Sequence, residues 1–145
     1  MPSSVITYLK GGDRRSIGSS NQVAALAAKR PKILPSSLLA PYKTELLGLL
    51  TEAVQPELRW HLAQIIPRLE LRREERLRAA AALHDYLADR NSIVRTFAMQ
   101  ALADLAEQDA SLRAEVLELI RQLTKSGTAA MRARGRKLLE RLEGH

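Results

Sequence analysis

The chain has 145 residues, 23 Lys and Arg against 16 Asp and Glu, a net charge of +7 and no cysteine. That length can bury a working core without a metal or disulfide staple. The missing cysteines exclude a disulfide framework, thiolate-bound zinc and a cysteine nucleophile. Uninterrupted apolar runs are too short to cross a bilayer, and "MPSSVITYLKGGDRR" lacks the apolar core of a secretory signal. A cytoplasmic protein without membrane association is therefore expected. Leu and Ala dominate and β-branched residues are sparse, a helix-forming composition.

In chain order, residues 1–18 are Ser/Gly-rich and are expected to be a flexible N-terminal segment. Residues 19–145 are expected to form a single domain. "SSNQVAALAAKRP" predicts a short helix over 20–30, with Ser19 and Gln22 at capping-box spacing. "PKILPSSLLAP" then places three prolines within eleven residues, which breaks regular structure. Residues 20–40 read as a degenerate N-terminal cap.

From residue 42 the pattern is helical and repeats. Helices are predicted over 42–53 and 56–69, over 73–88 and 92–107, and over 110–125 and 129–143. Pro56 suits a first helical turn, where its missing N–H costs nothing. Pro67 should kink or shorten the end of its helix. Asn91 or Ser92 can cap the fourth helix and Thr128 the sixth. Gly127 can supply a left-handed residue ending the fifth.

"RWHLAQIIPRLE" at 59–70, "RTFAMQALADLA" at 95–106 and "RARGRKLLERLE" at 132–143 are versions of one segment. Aligning Arg59, Arg95 and Arg132 places Leu58, Leu62, Ile66 and Leu69 on Val94, Ala98, Leu102 and Leu105, then on Met131, Gly135, Leu139 and Leu142. The spacing is that of one apolar helix face. Leu47, Leu83 and Leu119 recur in the preceding helices. A helix pair of this length cannot bury its apolar stripe alone, and stacking of successive pairs makes a continuous core. The buried set is expected to be Leu47, Leu62, Ile66, Leu83, Ala98, Leu102, Leu105, Leu119, Leu139 and Leu142. Gly135 occupies the small position matching Ala98, where helices would approach closely.

"NSIVRTFAMQALADLAE" resembles the second half of a HEAT repeat: a turn, then Val94-Arg95, Ala98, Ala101-Leu102 and Leu105. "MRARGRKLLERL" matches at Arg132, Gly135, Leu139 and Leu142, and "LRWHLAQIIPRL" more loosely. The family's turn Asp is replaced by Gln55, Asn91 and Thr128. The resemblance spans residues 42–143, with repeats at about 42–70, 73–107 and 110–143. It implies an all-α, right-handed α-solenoid of about three HEAT-like helix pairs plus the N-terminal cap. It also implies a scaffold for protein partners, with nucleic-acid binders and a few enzymes among its members.

No constellation in the sequence supports catalysis. "LKGGDRR" and "KSGT" lack phosphate-loop spacing, no G-x-S-x-G is present, and His61, His84 and His145 have no metal-ligand spacing with carboxylates. A non-enzymatic protein without cofactor or metal is expected. If the second helix of each pair lines a concave side, as the resemblance implies, its stripe carries His61, Gln64 and Arg68, then Phe97, Gln100 and Asp104, then Arg134, Lys137 and Arg141. These nine residues form a candidate groove for a protein or peptide, with the basic end attracting an acidic segment. Phe97 either anchors such a partner or packs between repeats, and Trp60 reads as a packing residue. The alternative is nucleic-acid binding through the cluster Lys125, Arg132, Arg134, Arg136, Lys137 and Arg141. Exposed end repeats allow a monomer or a weak homodimer.

Overall fold

Side-chain capping marks where the last four helices begin, and the first two have none. In the computed structural model, which describes residues 39–144, there are six α-helices and two short 3-10 turns, and no strand occurs among the described residues. The expected flexible segment at 1–18 and most of the cap at 20–40 lie outside them. The chain divides after Glu70 into two compact units.

The N-terminal unit holds a 3-10 turn, Ala40–Tyr42, then α1 (Lys43–Glu52) and α2 (Pro56–Ile65). Pro56 does occupy the first turn of α2. Arg59 reaches back from α2 and donates its Nε to Ala53 O at 2.8 Å, holding the α1–α2 turn. Pro67 stops α2 at Ile65, earlier than the predicted 69, and the chain continues as a 3-10 turn, Ile66–Arg68. The cause is the ring nitrogen, which cannot donate to the preceding turn. Leu46, Leu50, Leu62, Ile65 and Ile66 are buried here. Each fully buried aliphatic side chain contributes about 1.5–3 kcal/mol relative to exposure.

The C-terminal unit contains α3 (Arg73–Tyr86), α4 (Ser92–Gln108), α5 (Ala110–Ser126) and α6 (Ala129–Glu143). The backbone N–H of Arg72 donates to the Glu75 carboxylate at 2.7 Å, closing the start of α3. Of the two candidate caps for α4, Asn91 is the one used: its Oδ1 accepts from the N–H of Ile93 at 2.8 Å and of Val94 at 3.2 Å. Asp109 caps α5 through the N–H of Ser111 at 3.0 Å, and Thr128 caps α6 through the N–H of Met131 at 3.3 Å.

α4 is the centre of this unit and packs against α3, α5 and α6. It is buried almost all round, through Val94, Ala98, Met99, Ala101, Leu102, Ala103, Leu105 and Ala106. The alanines let three neighbours approach one helix. α5 and α6 pack against each other closely because Gly135 faces Thr124. A Cβ at 135 would overlap Thr124 Oγ1 and stand 3.1 Å from its Cβ.

Two expectations are corrected. Leu119 and Leu139 are only half-buried, and their neighbours Ile120 and Leu138 take the core positions. α4 has neighbours on three sides and tolerates a wide stripe, whereas α5 and α6 bury narrower ones: Leu112, Val116 and Ile120, and Met131, Gly135, Leu138 and Leu142. Carrying the stripe of α4 onto α6 therefore lands one residue off at Leu139, and carrying the Leu47 and Leu83 recurrence onto α5 does the same at Leu119. Gly127 is not left-handed; its φ of −78° and ψ of −178° are extended, and no described glycine has positive φ. Close approach explains the glycine instead: an added Cβ would lie 2.6 Å from Leu123 O and 2.9 Å from Met131 Cβ. The other expected core residues, Leu47, Leu62, Ile66, Leu83, Ala98, Leu102, Leu105 and Leu142, are buried.

Candidate interaction surface

Helical spacing puts Phe97, Gln100 and Asp104 on one face of α4, and Arg134, Lys137 and Arg141 on one face of α6. The structure brings these faces together as a hydrogen-bonded network. Arg134 donates to Gln100 Oε1 at 2.7 Å. Gln100 turns its amide and donates to Asp104 Oδ1 at 3.0 Å. Arg141 donates to the same Asp104 oxygen at 2.7 Å and also ion-pairs with Glu107. Four of the six C-terminal candidates are thus tied to one another across the α4–α6 seam.

These groups are half-exposed, so each ion pair contributes only about 0–1 kcal/mol. Their larger effect is orientation. The guanidinium of Arg134 fixes which way the Gln100 amide points, and Asp104 accepts from both sides. Phe97 is half-buried one turn earlier on α4. Lys137 is exposed, and among the described residues no side chain pairs with it.

In the N-terminal unit, Gln64 and Arg68 are half-buried, and Arg68 is engaged in an interaction of its own. His61 departs from the expectation. It is only 3% exposed and meets Trp60 edge-on, ring centroids 5.6 Å apart. A ring so placed packs the unit and offers almost no surface to a partner. Trp60 itself is half-buried.

Sequence reasoning missed Glu107 and a second polar junction. Arg76 on α3 donates its Nε to Asp109 Oδ2 at 3.2 Å and another nitrogen to Leu71 O at 2.6 Å. Asp109 also accepts from the Ser111 hydroxyl at 2.6 Å. The Ser111 and Arg76 hydrogen bonds hold the Asp109 carboxyl below the usual carboxylate range. The signal available was Asp109 two residues before Ser111, a local capping pattern. Its partner on α3 is distant in sequence and carries no motif.

Among the described residues no group of three His, Asp or Glu side chains is placed to hold a metal, and no helix is long and apolar enough to cross a membrane. A scan against protein-family models matches none, and searches of curated proteins and of solved structures return no match.

Proposed function

We propose that the chain is a non-enzymatic, cytoplasmic interaction module of HEAT-like helix pairs, stacked as a right-handed solenoid, that binds a protein or peptide on the face shared by α4 and α6. The observation carrying this reading is the Arg134–Gln100–Asp104–Arg141 network, whose links measure 2.7–3.0 Å. It locks two adjacent helices and leaves a half-buried Phe97 and an exposed Lys137 beside fixed guanidinium groups. A surface ordered before contact loses less entropy on binding. An aromatic beside arginines is the usual composition of a binding hot spot, and the cationic rim suits an acidic segment.

The test is capture from the native cell, with and without nuclease, using the wild-type chain and Phe97→Ala. The reading expects protein partners that survive nuclease and disappear with Phe97→Ala while the helical signal is unchanged. Unfolding of Phe97→Ala would make the residue core and remove the centre of the site.

Nucleic-acid binding is the second reading, favoured by a specific feature. Lys125 in the last turn of α5 and Arg132, Arg136 and Lys137 on α6 are all exposed. Phosphate binding through them predicts a steep salt dependence and dominance of the cations over Phe97. Recovery of nucleic acid, lost on charge reversal at Arg136 and Lys137, would select it.

A further inference from the structure

α3 and α5 both flank α4, yet they scarcely touch one another. Between them lies a cleft of about 410 Å³. One wall is Leu77, Ala80 and Ala81 of α3, and the other is Leu112, Val116 and Leu119 of α5. Leu102 of α4 lies at its floor. Here the half-buried Leu119 finds a use, and Leu77 is among the few large apolar side chains left exposed.

The charge lining is one-sided. The chain has 23 Lys and Arg, and none of them lines the cleft. The charged residues that do are Asp85 from α3 and Glu115 from α5, one carboxylate on each side. Both are exposed, and neither pairs with a cation among the described residues. Elsewhere in this unit Glu75, Asp104, Glu107, Asp109, Glu118 and Glu143 are each engaged by an arginine. The exposed His84 imidazole also lines the cleft, beside Asp85. An apolar slot whose rim carries two unengaged carboxylates and neither Lys nor Arg is complementary to an apolar body carrying positive charge.

We propose that this cleft docks a basic amphipathic helix of a partner protein. Two or three apolar side chains at i, i+3 or i+4, and i+7 enter between α3 and α5, and flanking Lys or Arg side chains reach Asp85 and Glu115. The volume fits this occupant. It sits near the low end of the roughly 300–1,000 Å³ range of ligand clefts, room for a few side chains of a helix rather than for the helix itself. The cleft uses different residues and the opposite partner charge from the α4–α6 face, so the two readings stand or fall separately.

The experiment titrates the full chain into a fluorescein-labelled 14-residue peptide of leucine and lysine, its leucines at helical spacing. Two further peptides are a scrambled sequence of the same composition and a leucine–glutamate version. Methyl resonances of Leu77, Ala80, Val116 and Leu119 report the site. Saturable binding is expected for the leucine–lysine peptide alone, with shifts at those methyls. Ala81→Trp, which fills the slot from an exposed position, and the double change Asp85→Lys with Glu115→Lys should each weaken it by about tenfold or more. If Ala81→Trp does not fold, the double variant at two exposed positions decides. No binding, equal binding of the scrambled peptide, shifts confined to α6, or indifference to the double variant overturns the proposal. Self-association of the wild type that Ala81→Trp abolishes also overturns it, assigning the cleft to a second copy.

Discussion

Asp104 on α4 and Arg141 on α6 are 37 positions apart in the chain and 2.7 Å apart in space. They are also the same position in successive copies of the repeated segment, one acidic and one basic. A repeat offset normally reproduces a residue type. Here it has produced complementary charges that close on each other. Ser92 and Thr128, whose hydroxyls lie 3.1 Å apart at the starts of α4 and α6, form a similar tie at the other end of the seam.

A double-mutant cycle on Asp104→Ala and Arg141→Ala, read by urea denaturation, should give a coupling of about 0.2–1 kcal/mol. Both side chains are more than a third exposed, so the coupling should shrink when salt is raised. A coupling above about 2 kcal/mol would mean the seam is far drier than its exposure indicates.

The register of α5 is open to a direct comparison. Ile120 is fully buried and Leu119 is half-exposed, although they are adjacent. Ile120→Ala should cost about 2–5 kcal/mol as a core cavity. Leu119→Ala should cost under about 1.5 kcal/mol, because much of that side chain already meets water. Chemical denaturation of the two variants distinguishes them, and equal losses would contradict the observed stripe.

The same pair shows what the sequence can and cannot convey. Helix positions were legible because apolar spacing near 3.6 residues is a property of each segment alone, and α6 begins and ends where Thr128 and the stripe predict. Which face turns inward depends on how many helices surround a segment, so α5 departs from the Leu83 register of α3 by one residue at Leu119, and α6 from that of α4 at Leu139. Pro67 was legible as a local effect. Gly127 was misread because its constraint is not a backbone angle but a crowded neighbour, Met131. At the candidate site, Gln100, Asp104, Arg134 and Arg141 could be placed on matching faces from spacing. Their mutual bonds could not, since these depend on the distance between α4 and α6. The cleft left no trace in the pattern, because a gap between α3 and α5 is a relation between helices and not a residue type.

Gly135 offers a prediction that runs against helix propensity. In an ordinary helix interior, Gly→Ala stabilises by about 1 kcal/mol. Here the new methyl would overlap Thr124 Oγ1. Gly135→Ala should therefore destabilise, by about 1–3 kcal/mol. Thr124→Ala removes the overlapping hydroxyl but leaves its Cβ 3.1 Å from the new methyl, so it should rescue only in part. Melting temperatures of the two single variants and the double variant test this. A stabilised Gly135→Ala protein would mean that α5 and α6 are not held this close.

The last prediction concerns acid. Asp109 accepts from the Ser111 hydroxyl and N–H and from Arg76, and all of these favour its ionised form. Its folded-state pKa is consequently lower than the ordinary value of 3.8. In the interval between the depressed folded value and the ordinary unfolded one, the unfolded chain binds more protons, so stability rises with pH there. The contribution is fully present above the unfolded value and is lost as pH falls through the folded one. Asp109→Ala should destabilise the protein at pH 7 and should flatten the fall in stability below about pH 4, because the variant has no such proton to take up. Arg76→Gln should flatten it in part, since the Ser111 bonds remain. Urea midpoints measured at pH 7, 5, 4 and 3 for the three proteins give the slopes. Parallel slopes for wild type and Asp109→Ala would show that other carboxylates carry the acid sensitivity. In that case the junction of α3 with the start of α5 would be structural without being ionisation-linked.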